Sequence, residues 1–187
     1  VVTLLLADDR VDPNMADQEG GTALMGATLQ GHASVVTLLL ADDRVDPNIA
    51  DEIGFTALMF AANEGHDSVV TLLLANDRMD PNMTSQGGFT ALMIAALKGH
   101  ASVVTLLLAD HRVDPNMTNN FGNTALSLAA DKGHASVLEL LLAHHRVTRT
   151  RPPHGMPNLN PQARAAYDTA LRNVKRPRNA RFRGLTR

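Results

Sequence analysis

Four histidines recur at one spacing: His32, His66, His100 and His134, each 34 residues apart. Imidazoles in such a row are the obvious candidates for a metal site. The spacing itself argues against one. Helices packed side by side lie about 8–10 Å apart, whereas zinc holds its nitrogen ligands at about 2 Å. Equivalent histidines in neighbouring units cannot share an ion, so these read as turn residues bonded to backbone. His144 and His145, with His111 one period earlier, form a looser cluster. Adjacent residues of an extended segment point to opposite sides, so this trio predicts no metal centre either. The Asp-rich loops (Asp8-Asp9, Asp42-Asp43, Asn76-Asp77, Asp110) lack the D-x-D-x-D-G order that wraps calcium. The acidic pairs precede Arg10, Arg44 and Arg78, which predicts charge pairs along the stack. Exposed pairs of this kind contribute about 0–1 kcal/mol each.

Nucleophiles fare no better. Ser34, Ser68, Ser102 and Ser136 keep the same 34-residue period and stand where helices start. The chain has no cysteine, which excludes thiolate chemistry and disulfides. It has no G-x-x-x-x-G-K phosphate loop. The expectation is a protein that is not an enzyme and needs no cofactor or metal.

The elements that carry these residues follow from the period. Thr22, Thr56, Thr90 and Thr124 share it, as do Gly31, Gly65, Gly99 and Gly133. Asp12, Asp46, Asp80 and Asp114 open four D-P-N triplets. In residues 50–83, Asp51 to Gly54 is a turn and Thr56 a candidate N-cap. A first helix runs to about Glu64 with Leu58, Ala61 and Ala62 on one face, and Gly65 ends it. A second helix spans about Asp67 to Ala75, and Pro81 stops any continuation. The D-P-N triplets read as turns, with Pro fixing φ and Asn tolerating a left-handed backbone. Helices of about nine residues do not stand alone in water, so the units must stack. The leucine triplets at 38–40, 72–74, 106–108 and 140–142 are expected to fill the space between units.

G-x-T-A-L-M, A-A-x-x-G-H and V-V-x-L-L-L, recurring in phase, resemble the ankyrin repeat. The resemblance runs from residue 1 to 147. It implies an all-α solenoid: a partial unit at 1–15, full units at 16–49, 50–83, 84–117 and 118–147, then a distinct tail at 148–187. The family's proline is Ala23, Ala57, Ala91 or Ala125 here, and its histidine is Met25, Met59, Met93 or Ser127. The bond that histidine usually makes is therefore expected to be missing. Val1 begins inside a second helix, which predicts further residues upstream.

Comparing units with one another locates positions free to specialise. One set is the turn tip: Gln18, Glu19 and Gly21; Glu52, Ile53 and Phe55; Gln86, Gly87 and Phe89; Asn120, Phe121 and Asn123. The other is the end of each first helix: Leu29-Gln30, Asn63-Glu64, Leu97-Lys98 and Asp131-Lys132. The resemblance implies that both sets line a concave groove used to bind another protein. Ile53, Phe55, Phe89 and Phe121 stand out, because solvated turns have little need of large apolar residues and aromatics anchor interfaces. The rival reading of Phe55 and Phe89 is packing on the next unit. A rival reading of the whole chain is a targeting module of a larger protein with an enzyme or channel domain. The chain is expected to be intracellular and monomeric, with no membrane partner.

Charge divides the chain. Residues 1–143 hold six basic and 18 acidic residues, a balance of −12. Residues 144–187 hold 11 basic residues and one acidic residue, a balance of +10. Within the tail, 151–157 is a Pro-rich linker. Asn160 and Pro161 open a helix to about Lys175, with Ala163, Ala166, Tyr167, Ala170, Leu171 and Val174 on one stripe. That helix is placed to dock on the last repeat. The basic end from Arg176 has three readings: a solvated, disordered end, a segment bound to the acidic body, or a nucleic-acid-binding tail.

Overall fold

The structure, a computed structural model, describes residues 1–147 and 161–175. Ten helices follow one another: α1 (Val2–Leu6), α2 (Ala23–Leu29), α3 (Ala33–Leu40), α4 (Ala57–Glu64), α5 (Asp67–Leu74), α6 (Ala91–Lys98), α7 (Ala101–Ala109), α8 (Ala125–Lys132), α9 (Ala135–Ala143) and α10 (Pro161–Lys175). The threonines start the first helix of every full unit. The hydroxyls of Thr22, Thr56, Thr90 and Thr124 accept from the backbone N–H three residues on. Gly65, Gly99 and Gly133 end three of these helices at φ of 75°, 83° and 74°, where a Cβ would be strained.

The helices form two layers. α2, α4, α6 and α8 pack side by side in chain order, and α1, α3, α5, α7 and α9 form a second row behind them. Alanines make the close approach possible. Ala61, Ala62, Ala95, Ala96, Ala129 and Ala130 are all fully buried. The middle leucine of each triplet (Leu39, Leu73, Leu107, Leu141) is buried in every unit, but Leu38 remains 40% exposed. The triplets therefore fill the core with one side chain reliably and not with three. At the start of the chain Val1 and Leu4 are 94% and 77% exposed. At the other end α10 lies on α9 and α8, burying Tyr167 and Ala170. Asn173 Nδ2 donates to Glu139 Oε1 on α9 at 2.8 Å.

Three ladders of side chains tie each unit to the next. His66, His100 and His134 meet the backbone oxygens of Leu29, Asn63 and Leu97, each in the preceding unit, at 3.0–3.2 Å. The D-P-N asparagines form a second ladder: Asn48 Nδ2 donates to Arg78 O, and Asn48 Oδ1 accepts from Asp80 N. Asn14, Asn82 and Asn116 bond Arg44, Arg112 and Arg146 in the same way. The asparagines make these bonds without using a left-handed backbone, since no described non-glycine residue takes a positive φ. The arginines form the third ladder. Arg112 donates to Leu74 O, Asn76 O and Met79 O of the preceding unit, and Arg146 to Leu108 O and Val113 O. Asp–Arg pairs form at 2.6–2.7 Å within one loop, at Asp8–Arg10 and Asp42–Arg44 and also at Asp110–Arg112, whereas the Arg78 guanidinium donates to Asp43 O and Val45 O instead. What runs along the stack is guanidinium to carbonyl.

Two further expectations change. Ser127 restores a bond at the family's histidine position, since its Oγ accepts from Thr124 N at 2.9 Å and closes a capping box. The rings of His144 and His145 lie 4.7 Å apart and not on opposite sides, although His144, the C-cap of α9, has an extended backbone. Burial at that helix end, with the charges of Arg146 and His145, holds the His144 imidazole below its usual value. A depressed histidine contributes stability that is complete above its unfolded pKa of about 6.5 and is lost as pH falls below it. His144→Gln should therefore lose less stability than the wild type between neutral and mildly acidic pH, read from urea midpoints at each pH.

Gly26 is the oddity of the first unit. It sits inside α2, where the other units carry Phe60, Ile94 and Leu128. A Cβ there would meet nothing within 4 Å. Gly26→Ala is expected to raise stability by about 0.5–1 kcal/mol through helix propensity alone. Chemical denaturation of the two proteins checks it, and a loss of stability would contradict it.

Candidate protein-recognition groove

The tips are built by one polar residue per unit. Asp17 Oδ1 accepts from Glu19 N and Gly21 N. Asp51 Oδ1 accepts from Ile53 N and Phe55 N, and Asn119 Oδ1 from Phe121 N and Asn123 N. In the third unit Ser85 Oγ takes Phe89 N at 3.2 Å. Neighbouring tips are then joined by backbone: Glu52 N donates to Glu19 O, Gln86 N to Ile53 O and Asn120 N to Gly87 O. The side chains of Gln86 and Asn120 reinforce this, donating to Glu52 O and Gln86 O. A tip so fixed presents its remaining side chains at defined positions, which a mobile loop cannot do.

Between the second and third tips and the ends of α4 and α6 lies an apolar groove of about 340 Å³. Ile53, Phe55, Asn63, Gln86, Gly87, Phe89 and Leu97 line it, together with Ser85 and Ile94. Phe55 and Phe89 are half-buried against the core, and Phe55 stacks obliquely on Phe60 with centroids 5.4 Å apart. They serve packing and groove wall at once. Ile53 is 57% and Phe121 75% exposed. Phe121 stands apart from the groove, on the fourth tip.

The remaining positions spread along the same rows. Gln18, Glu19, Gln30, Glu52, Glu64, Lys98, Asp131 and Lys132 are exposed, as is Leu29. Gly21 is half-buried, and a Cβ on it would meet the Asp17 carboxylate. Asn123 is also half-buried. Asn63 Nδ2 donates to Glu64 Oε1 at 2.6 Å, holding that carboxylate beside the groove. The ion pairs among the described residues lie in the loops after the second helices.

Ser85 and Ile94 were not among the positions singled out from sequence. Ile94 could have been, because its repeat position runs Gly26, Phe60, Ile94, Leu128 and is as variable as the tips. Among the described residues no group of three His, Asp or Glu could hold a metal ion. No described helix is long and apolar enough to cross a membrane. The Pro-rich linker and the basic end from Arg176 lie outside the described residues.

Comparison with known families gives two matches. A model described as ankyrin repeats (3 copies) matches residues 1–85. A model described as ankyrin repeats (many copies) matches residues 73–129 and 108–157. The comparison with curated proteins finds no match.

Proposed function

The chain belongs to the ankyrin-repeat family, whose repeats are in general protein–protein interaction modules, and we propose that it is a binding scaffold that takes a partner protein in the groove formed by its turn tips and first-helix ends. The observation that carries this is the groove of about 340 Å³ between the second and third units, walled by Phe55, Phe89 and Leu97 with Ile53 exposed beside it. Fixed tips support the same reading, since ordering a loop on binding costs free energy that a preorganised tip avoids. On this reading the four full units form the recognition body and α10 covers its end.

Ile53→Ser, Phe89→Ala and Phe121→Ala test the proposal, singly and together. Ile53 and Phe121 are exposed, so their loss should leave the helical circular dichroism unchanged. If either anchors the interface, truncation should weaken partner capture by a factor of about 30, the scale of an interfacial hot spot. Undiminished capture by the folded triple variant would remove the groove from the binding surface.

A further inference from the structure

We propose that the groove between the second and third units receives an extended peptide segment bearing one large apolar side chain with a lysine or arginine beside it. This rests on the reading of the groove as the binding surface and adds the chemistry of what enters it. The walls are Phe55, Phe89, Ile94 and Leu97. The volume of about 340 Å³ is at the small end of ligand pockets, a size for one or two side chains and not for a helix. Gly87 on the third tip carries no side chain to fill it.

The rim supplies the charge preference. Glu52 precedes Ile53 on the second tip, and Glu64 follows Asn63 at the end of α4. Both are exposed, and neither belongs to the ion pairs found among the described residues. Asn63 fixes Glu64 at the groove edge, 2.6 Å from its own side-chain amide. Glu19, at the repeat position of Ile53, adds one more exposed carboxylate on the first tip. Lys98, next to Leu97, stands on the other side. A segment that seats an apolar group here covers part of this rim. A cation beside the anchor pairs with Glu52 or Glu64, whereas a carboxylate there would be repelled, which is how charged rims select partners. The two signs also set a direction: the cation lies toward the second unit and away from Lys98.

The test uses the full chain and a random peptide library displayed on phage. Selected peptides are synthesised and their affinity is measured by fluorescence anisotropy at low and high salt. The expected consensus places Phe, Leu or Met next to Lys or Arg. Glu52→Gln with Glu64→Gln should weaken the selected peptide by roughly fivefold and flatten its salt dependence. The glutamine at 64 keeps the oxygen that Asn63 bonds, so the fold is not at issue. Phe89→Ala should weaken it further. No enrichment, a consensus without a cation, or full affinity in the Glu52→Gln/Glu64→Gln variant overturns the inference. If that variant binds normally while Phe89→Ala does not, only the charge preference fails. If Phe89→Ala also binds normally, the groove reading fails with it. Self-association of the chain that Phe89→Ala abolishes would make a second copy the occupant and overturn the assignment to a partner.

Discussion

Leu107→Ala is expected to lower stability by about 3 kcal/mol, within the range of 2–5 found for buried leucines. Leu107 is fully buried in α7, which packs on α6 of its own unit and on α5 and α9 of the units either side. The truncation removes apolar surface and leaves a cavity. Val103 and Val104 of the same helix, and Leu73 and Leu141 of the helices either side, are fully buried too, so the surroundings have little freedom to fill the hole. The middle of the array is also the worst place for it. No helix of the repeats exceeds nine residues, and such helices persist only through their neighbours. A weakened third unit loosens both of its interfaces, so the urea transition should broaden as well as move. Leu38→Ala is the control, since Leu38 begins the triplet of the first full unit and is 40% exposed. Less area is lost there, and the cost should stay near 1 kcal/mol. Equal costs for the two substitutions would mean that burial in the stack does not govern stability.

Much of this architecture is legible because one physical rule repeats four times. A threonine that caps, a glycine that ends and a proline that breaks are local signals, and each acts within a few residues of itself. Thr56 and Gly65 do in the structure what their types predict. The signals that fail are those whose partner lies one unit away. His66, His100 and His134 bond backbone, as a turn histidine should, but the carbonyl belongs to the preceding unit, about 37 residues earlier. His32 is exposed. The local signal of the arginines is their aspartates, two residues away. Their bonds to carbonyls more than 30 residues away depend on how the units stack, which no spacing within one unit encodes. The asparagines were read as backbone conformers for the same reason. The groove shows the same division. Ile53, Phe55, Phe89 and Leu97 stand at repeat positions whose residues vary from unit to unit, as in Gly21, Phe55, Phe89 and Asn123, and comparing the units finds them. Only packing puts Ser85 against the groove.

Gly54→Ala should cost about 2–3 kcal/mol, while Gly122→Ala, at the same position two units on, should cost about 1–2. Both glycines take a left-handed backbone, with φ of 82° and 76°, and an alanine in that region is strained by about 1–2 kcal/mol. The difference lies in what surrounds them. A Cβ at Gly54 would stand 2.8 Å from Gln86 N and 2.9 Å from Ser85 Cα. Both are backbone atoms, pinned by the bond from Gln86 N to Ile53 O at 3.0 Å, so neither can rotate aside as a side chain would. The second and third tips must separate, and that bond weakens, at a further cost of about 1 kcal/mol. A Cβ at Gly122 would meet nothing within 4 Å, so backbone strain is the whole of its effect. Chemical denaturation of the two variants isolates the contact between tips from the conformation of the tip. The same displacement moves Ile53 and Gln86, which line opposite sides of the groove. Gly54→Ala should therefore also weaken a groove-bound segment in protein that remains folded, and Gly122→Ala should not. Equal destabilisation by the two substitutions would show that the joined tips contribute nothing to the stack and that the groove is not held open by them.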